Sequence, residues 1–393
     1  MSINTVYALV LGGYVNGYSI IKELHENEVE NIALFDDHKS LGSVSNKIKY
    51  FELIKNDTNG LKKAIINLKK KCDFIVIYPT NDVHLENLYS IYNDISDFCH
   101  IPFNQKNIIS SLDKKIQYSF CEKYNIPYPK TKFIDKISKI DLIDNMILPI
   151  LIKPNKKHAK SLGVFRSMLI KDVNEISKKK KLITSFLNIG IEFIASEFIP
   201  GDDTNIHAYV GYRNSKGHIL NEWIGKKLTQ HPDNFGVYSS AINYSSEIVR
   251  DQGRKLLEVM DLFGICEPEF KFDVRDGKYK LMEINLRSMM WHRLGNLSGV
   301  HLHYTQFLDA LAKETKFETQ NLKGNIHFVY MKHEISNLIF RKKYWKHFKE
   351  NVFGSEFRFF AIYDKSDIKP FLHDSIGLIK TILGRWRKQL KEK

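Results

Sequence analysis

The sequence predicts an α/β protein that begins with a doubly wound parallel sheet and continues into mixed α+β units. Three observations lead to this fold class. Apolar strand-like segments alternate with helical segments through the first 110 residues, segments with period-two alternation follow, and the chain ends in a basic stretch rich in aromatic residues. A length of 393 residues allows two or three domains with a sizeable core.

Three buried strands define the N-terminal domain, at residues 6–13, 31–37 and 73–82. The first strand ends in Gly12-Gly13-x-x-x-Gly17, which is not the G-x-G-x-x-G pattern of dinucleotide sites. We therefore expect the loops at Asn16 and at residues 80–82 to lie at the carboxyl ends of the strands and to hold a small ligand.

The next unit begins with the stretch 111–131, in which we predict a helix with Asp113 in its first turn that ends at residues 125–127. An apolar strand over residues 148–154 then carries Lys153 into a basic loop. A lysine in this place is often only a charged residue at a sheet edge. The basic loop that follows favours contact with phosphate.

The segment at residues 193–203 consists of a predicted strand, then a Pro-Gly turn, and then the acids Asp202 and Asp203. A plain hairpin turn would explain this pattern. A nucleotide site would explain it as well, with backbone groups facing the adenine edge and an acid facing the ribose hydroxyls.

The most informative stretch is residues 269–287, which we predict to form a β-hairpin because polar and apolar residues alternate in both arms. A three-residue loop, 275–277, with its glycine in the left-handed conformation, would place Glu269 opposite Glu283 and Phe270 opposite Met282. A two-residue loop would separate the two acids, because a slip by one residue exchanges the faces of a strand.

Four polar side chains of this hairpin would then meet on one face: Glu269, Glu283, Asn285 and Arg287. Carboxylate and amide oxygens suit Mg²⁺, and the planar guanidinium matches the geometry of phosphate. The alternative is a solvated strand face on which these residues meet by chance. The hairpin alone leaves both interpretations open.

Composition restricts the location and the partners of the chain. The four cysteines are scattered and have no metal-site spacing, which fits a reducing compartment. The apolar stretch at residues 6–15 is short and lacks the basic lead-in of a signal peptide, and no apolar run is long enough to span a membrane, so we expect a cytoplasmic protein. The net charge of +14 allows nucleic acid, an anionic membrane or acidic substrates as partners, but lysine spread over solvated helices explains it as well.

The last helical segment places Ile376, Ile379, Leu383, Trp386 and Leu390 on one face and basic residues elsewhere. Residues 375–393 could therefore rest on an anionic membrane, which would make the protein membrane-peripheral. The alternative, which we favour, is a helix docked on its own domain.

Several motifs occur in one order that resembles the ATP-grasp superfamily, and in particular its predicted carboxylate–amine ligases. The resemblance covers about residues 5–325. It rests on Asp113-Lys114, I-P-x-P-x-T at 126–131, Lys153, E-F-I-P-G-D-D at 197–203, K-L-x-Q-x-P at 227–232, E-F-K-F-D from Glu269 and E-I-N-x-R at 283–287. It implies a pre-ATP-grasp domain at 1–110, a two-lobed ATP-grasp fold with its lid and linker at 111–200 and its C-lobe at 201–325, and a basic extension at 326–393.

The resemblance also implies a role for each candidate site residue. Nucleotide binding would fall to Lys114, Lys153, the hinge Glu197, Phe198 and Ile199, and the ribose acid Asp203, with Asp202 as the fallback. Magnesium binding would fall to Glu269, Glu283 and Asn285, and the cations at the transferred phosphate would be Lys227 and Arg287. We expect His292 and Arg293 to face the acceptor substrate. The lid loop at 156–163 departs from the glycine-rich pattern, since Lys156, Lys157 and Lys160 occupy it.

The implied activity is ATP-dependent ligation of a small-molecule carboxylate to an amine through an acyl phosphate, with Mg²⁺ or Mn²⁺ as the ion. Two alternatives are a nucleotide-binding scaffold without catalysis and a basic membrane-surface protein. A nucleic-acid partner is disfavoured, because it gives no role to Glu269 and Glu283.

Overall fold

The computed structural model describes residues 5–155, 163–233, 236–321 and 324–391. Its first unit is a five-stranded parallel sheet with the order β3-β2-β1-β4-β5, as the alternation of elements predicted. Helices cover both faces, since Ala8 and Val10 pack with the first helix while Leu9 and Leu11 pack with the second and third. The elements are β1 Val6–Leu11, α1 Val15–Glu26, β2 Ile32–Asp36, β3 Tyr50–Leu53, α2 Thr58–Lys69, β4 Phe74–Pro79, α3 Asp82–Ser90, α4 Tyr92–Ile95, β5 Cys99–His100 and α5 Ile108–Ser111.

The second unit is a four-stranded antiparallel sheet with the order β6-β9-β7-β8, here called the lid sheet. It begins after a linking helix whose N-terminus is capped by Asp113, which accepts the Lys115 N–H at 2.8 Å. The elements are α6 Lys114–Lys123, β6 Thr131–Ile134, β7 Ile150–Pro154, β8 Met168–Ile170, α7 Val173–Leu187 and β9 Phe193–Glu197.

The third unit is a seven-stranded sheet with the order β14-β13-β10-β11-β12-β15-β16, here called the central sheet. Its neighbouring strands are antiparallel except for the last pair, β15 and β16. The elements are β10 Ile206–Arg213, β11 Ile219–His231, β12 Val237–Asn243, α8 Glu247–Val259, β13 Gly264–Asp273, β14 Lys278–Asn285, α9 Arg293–Leu297, α10 Leu302–Ala310, β15 Ile326–Val329, α11 Met331–Phe340, α12 Trp345–Phe353, β16 Phe357–Phe360 and α13 Ile368–Lys391.

The segment predicted as an extension, 326–393, is built into the central sheet through β15 and β16. A buried carboxylate fixes it there. Glu334 of α11 accepts hydrogen bonds from the hydroxyls of Thr229, Ser239 and Ser240 at 2.6–2.8 Å, and from Tyr344 at 2.9 Å. Because these donors come from both the sheet and the extension, the two fold as one piece.

Among the described residues, every helix falls short of the combined length and apolar character that crossing a bilayer demands. The longest, α13, is docked through one side: Asp374 accepts from Tyr330 and Lys332, both at 3.0 Å. Its predicted apolar face is nevertheless exposed at Ile376 and Ile379. The docked side agrees with the alternative that we favoured, and contact with a membrane stays a prediction.

Candidate functional site

The predicted β-hairpin is present as β13 and β14, and Glu269 lies directly opposite Glu283. Its loop has four residues, 274–277, so the predicted three-residue loop was wrong. Gly277 has the expected left-handed conformation, with φ +68°. A longer loop on its own would shift the acids out of register, so a second irregularity must restore their pairing.

That irregularity is a β-bulge at Met282, where the register shifts between Glu269 and the next residue. Phe270 therefore pairs with Leu281, and the predicted partner Met282 was wrong. Phe270 and Leu281 are both fully buried, so core packing fixes this part of the register. Met282 is turned into the cleft beside the acids.

Each glutamate of the pair is held by a lysine. Lys227 Nζ lies 2.5 Å from Glu269 Oε2, and Lys114 Nζ lies 2.8 Å from Glu283 Oε2. Burial lowers the pKa of both lysines, but the neighbouring carboxylates outweigh it and raise the pKa of each. Both lysines are therefore cations at neutral pH.

The same cluster fits a divalent cation. Burial raises the pKa of the Glu269 carboxyl; Lys227 opposes this effect, and the nearby carboxylates of Glu283 and Glu267 add to it. Asn285 lines the same cleft, and its side-chain N–H donates a hydrogen bond to Glu267 at 3.1 Å. This orientation leaves the amide oxygen as a possible ligand for an ion. Glu269, Glu283 and Asn285 are thus the residues that could hold Mg²⁺.

Sequence reasoning missed Glu267, which lies under the pair. Glu267 is fully buried and opposite Asn285, and it accepts from Trp291 Nε1 at 2.8 Å and pairs with His292 Nε2 at 2.7 Å. The period-two pattern that selected Glu269 continues back to Glu267. Pro268 between them concealed this continuation, because proline argues against a central strand.

The prediction that His292 and Arg293 face an acceptor was wrong. Both are buried, and neither lines the cleft or the cavity described below. His292 supports Glu267, while Arg293 pairs with Glu26 of α1 at 2.5 Å. Met289 and Met290 line both the cleft and that cavity instead.

The eleven residues predicted to bind the nucleotide, the metal ion or the transferred phosphate all line one cleft of about 650 Å³ between the lid sheet and the central sheet. Its volume is within the range of small-molecule sites. The eleven residues are Lys114, Lys153, Glu197, Phe198, Ile199, Asp203, Lys227, Glu269, Glu283, Asn285 and Arg287.

The predicted hinge lies at the end of β9. The Glu197 carboxylate is held by Arg275 and Lys280, both at 3.0 Å, so this side chain is engaged within the protein. The N–H groups of Glu197 and Phe198 donate to backbone carbonyls at 2.9 and 3.0 Å. The N–H groups of Glu197 and Phe198 are therefore already paired within the protein.

Lys153 lies next to the end of β7 and lines the same cleft. Burial and the nearby Lys114 charge lower the pKa of Lys153 to about 8. A phosphate beside it would favour the cationic form. The lysines of the lid loop, Lys156, Lys157 and Lys160, lie outside the described residues.

The two acids after the Pro-Gly turn have different environments. Asp202 caps a short 3₁₀ turn and accepts the Thr204 N–H at 2.9 Å and its hydroxyl at 2.6 Å. Asp203 accepts the Gln230 N–H at 2.8 Å through Oδ2, and burial raises the pKa of its carboxyl. Both bonds to Asp202 go to its Oδ1, so each acid has one carboxylate oxygen in these contacts, and the contacts do not choose between the two acids as the ribose acid.

Arg287 follows β14 and reaches the N-terminal sheet. Its Nε lies 2.7 Å from Asp82 Oδ1, at the first turn of α3. Arg287 lines both the cleft and a second cavity of about 390 Å³. Asp82 is thus a further residue of the site that the hairpin pattern did not reveal.

The second cavity lies where the order of the parallel strands reverses, between β1 and β4. Ligands of open α/β sheets commonly bind at such a point. Asn16 Nδ2 donates to Thr80 O at 2.8 Å and to Ser288 O at 3.1 Å, which joins both loops predicted to hold a ligand. At Gly12 the backbone has φ +80°, and a Cβ would lie 2.6 Å from the Thr80 hydroxyl, so only glycine fits.

Comparison with known proteins gives one curated relative and many similar structures. No protein-family model matches the chain. It is 26% identical over 237 residues to D-aspartate ligase of Enterococcus faecium (strain Aus0004), a match that covers 58% of this chain and only 56% of that relative. The chain thus matches little more than half the length of this relative.

Two solved structures illustrate the likeness of the fold. An ADP complex of N5-carboxyaminoimidazole ribonucleotide synthetase has a TM-score of 0.66 at 13% identity and covers 86% of this chain and 85% of that one. L-amino acid ligase from Bacillus licheniformis has a TM-score of 0.59 at 12% identity, with coverage of 80% and 76%.

The three units, with a cleft between the lid sheet and the central sheet, form a fold that the structural neighbours share. The order of the sequence motifs and the match to a ligase over 58% of this chain both agree with the resemblance to ATP-grasp carboxylate–amine ligases, and membership of that type stays a prediction.

Proposed function

We propose that this chain is an ADP-forming ligase that uses ATP to join a carboxylate to an amine. The position of Arg287 carries the proposal. Arg287 belongs to the wall shared by the cleft and the N-terminal cavity, beside the glutamate pair. ATP in the cleft would thus bring its terminal phosphate near a carboxylate in the cavity, and catalysis of phosphoryl transfer depends mainly on such positioning and on charge.

In the proposed reaction an oxygen of the substrate carboxylate attacks the γ-phosphorus of ATP. The bond to the β–γ bridging oxygen breaks, which gives an acyl phosphate and ADP. The nitrogen of an amine then attacks the acyl carbon, and phosphate leaves with the former carboxylate oxygen while the amine protons pass to solvent. Lys114, Lys153, Lys227 and Arg287 would place positive charge around the phosphates.

Glu269, Glu283 and Asn285 would hold Mg²⁺, with Mn²⁺ as an alternative ion. When bound, the ion would offset the negative charge of the phosphates. The residues around it have separate tasks. Lys114 and Lys227 hold the two carboxylates by ion pairs, and Glu267 orients the Asn285 amide.

The charges around the N-terminal cavity suggest the class of substrate. Its lining contains the Arg287 guanidinium and the acids Asp36 and Asp37. A compact molecule that carries both a carboxylate and an ammonium group, such as an amino acid, would match this lining. D-Aspartate is the first carboxylate to test, because the curated relative is named for it.

The experiment is an ADP-release assay with ATP and Mg²⁺ over amino-acid carboxylates, each paired with a panel of amines. We expect ADP release to require a carboxylate, and an amide to accumulate in equal amount when the right amine is present. Nucleotide binding with no ADP release that depends on a carboxylate, over a panel that includes D-aspartate, would instead support the scaffold without catalysis.

A further inference from the structure

Exposed apolar side chains are concentrated in the C-terminal part of the chain. Close to half of the large apolar residues exposed in the described part of the chain lie between Ile339 and Leu383. They include Trp345 and Phe353, which are 62% and 61% exposed. Soluble surfaces rarely collect such residues without a partner.

The helix α13 shows how this surface is organised, beginning with its docked side. Asp374 accepts hydrogen bonds from Tyr330 and Lys332. Gly377 lies close to Lys332, since a Cβ at Gly377 would be 3.0 Å from the Lys332 Nζ. The Arg385 guanidinium lies 4.8 Å from the centre of the Phe340 ring. Since successive helical residues are turned by about 100°, Asp374, Gly377 and Arg385 share one side.

A second side of the same helix is apolar and exposed. Ile368, Leu372, Ile376, Ile379 and Leu383 are 43–57% exposed. Their spacing of three or four residues confines them to an arc of about 80°, turned well away from the docked side. We call these five residues the apolar stripe.

The surroundings of the apolar stripe are positively charged. Residues 326–393 contain 15 lysines and arginines but seven aspartates and glutamates, a surplus of eight positive charges out of the chain's +14. Glu334, Asp367 and Asp374 are buried, whereas Lys369 and Lys380 are exposed on the helix beside the stripe. The outer surface is therefore more basic than the sequence alone suggests.

We propose that α13 lies flat on an anionic lipid surface, with the apolar stripe in the acyl–headgroup boundary and Lys369 and Lys380 among the headgroups. An apolar face bordered by lysines is the pattern of interfacial helices. A second copy of the chain fits less well, because two stripes in contact would bring both sets of lysines together. The inference is independent of the proposed ligase activity.

The test measures binding of the full-length protein to sedimented vesicles. One set is phosphatidylcholine alone, and in the other about one third of the lipid is phosphatidylglycerol. We expect the anionic vesicles to bind at least about tenfold more tightly in about 0.1 M NaCl and to lose this preference in about 0.5 M NaCl. Lys369→Gln with Lys380→Gln should weaken binding to the anionic vesicles by about tenfold.

Leu372→Ser with Ile379→Ser should also weaken binding by about tenfold or more, because two apolar anchors are lost. Both side chains are exposed, so the fold should be retained, and an unchanged melting temperature checks this. The matched control is Ile147→Ser with Val173→Ser, which removes two even more exposed apolar residues from the lid region. It should bind like the wild type.

Three results would overturn the proposal. The first is equal binding to both kinds of vesicle, and the second is equal loss of binding in the control variant. The third is a dimer in sedimentation velocity that Leu372→Ser with Ile379→Ser converts to a monomer, since a second copy would then cover the apolar stripe.

Discussion

Replacing Glu283 by glutamine should separate stability from activity. The Glu283 side chain is 35% exposed and its partner Lys114 is 19% exposed, so the lost ion pair should cost no more than about 1 kcal/mol of unfolding free energy. The same change removes one of the two carboxylates proposed to hold Mg²⁺ beside the transferred phosphate. Loss of such charge stabilisation should cost about 3 to 4 kcal/mol in the transition state, or roughly 10²–10³-fold in kcat.

The assay is steady-state ADP release with the substrates found above, together with thermal unfolding of the same preparations. Asp94→Asn is the matched control, because it breaks the ion pair of Asp94 with Lys62, at 2.7 Å and comparably exposed, away from both cavities. It should leave kcat unchanged. A Glu283→Gln enzyme with wild-type kcat, or one that loses activity only because it unfolds, would refute the assignment of Glu283.

Three further predictions follow from the site and its supports. Arg287→Lys should lower kcat by about tenfold to a hundredfold, because a lysine cannot hold Asp82 and a phosphate in the same planar geometry; ADP release measures it. Lys153 is cationic below its pKa of about 8 and neutral above it, so the apparent Kd for ATP in a titration should rise about tenfold between about pH 7 and pH 9, and Lys153→Met should abolish that change. Glu334→Leu should destabilise the protein by about 3 to 5 kcal/mol in chemical unfolding, because several buried donors lose their acceptor.

Matched controls for these variants lie away from the cleft. Arg213→Lys makes the same exchange in the ion pair with Asp261. Lys139→Met removes a lysine of the lid region, and Glu350→Leu removes an exposed acid.

Three outcomes would contradict the reasoning: wild-type kcat in Arg287→Lys, an ATP affinity of the wild type that does not change with pH, or an unchanged unfolding curve for Glu334→Leu.

The alternation of the hairpin was sufficient to predict which acids meet. Glu269 and Glu283 do lie opposite each other. The loop length was wrong by one residue, and the bulge at Met282 compensates for it. No local sequence pattern predicts this bulge, because the packing of the buried residues Leu281 and Phe270 opposite each other determines where the register shifts.

The partners of the site residues were harder to predict than the residues themselves. Asp82 is 205 positions away from Arg287 in the chain, and only the packed domains bring them together. His292 lies nine positions after Glu283, which suggested a role at the substrate, yet its ring supports a buried acid. The residues proposed to bind ligands belong to sequence motifs, whereas Asp82 and Glu267, which support Arg287 and Asn285, belong to none of those motifs.

The double hydrogen bond of the Asn16 amide has a consequence for movement. Together with the Arg287–Asp82 ion pair it connects the segment after β14 to the N-terminal unit. The central sheet and the N-terminal unit are therefore held together on this side of the site, and an activated acyl group would meet its nucleophile without a movement of one relative to the other. Entry of substrate and exclusion of water would then have to be controlled by movement of the lid sheet.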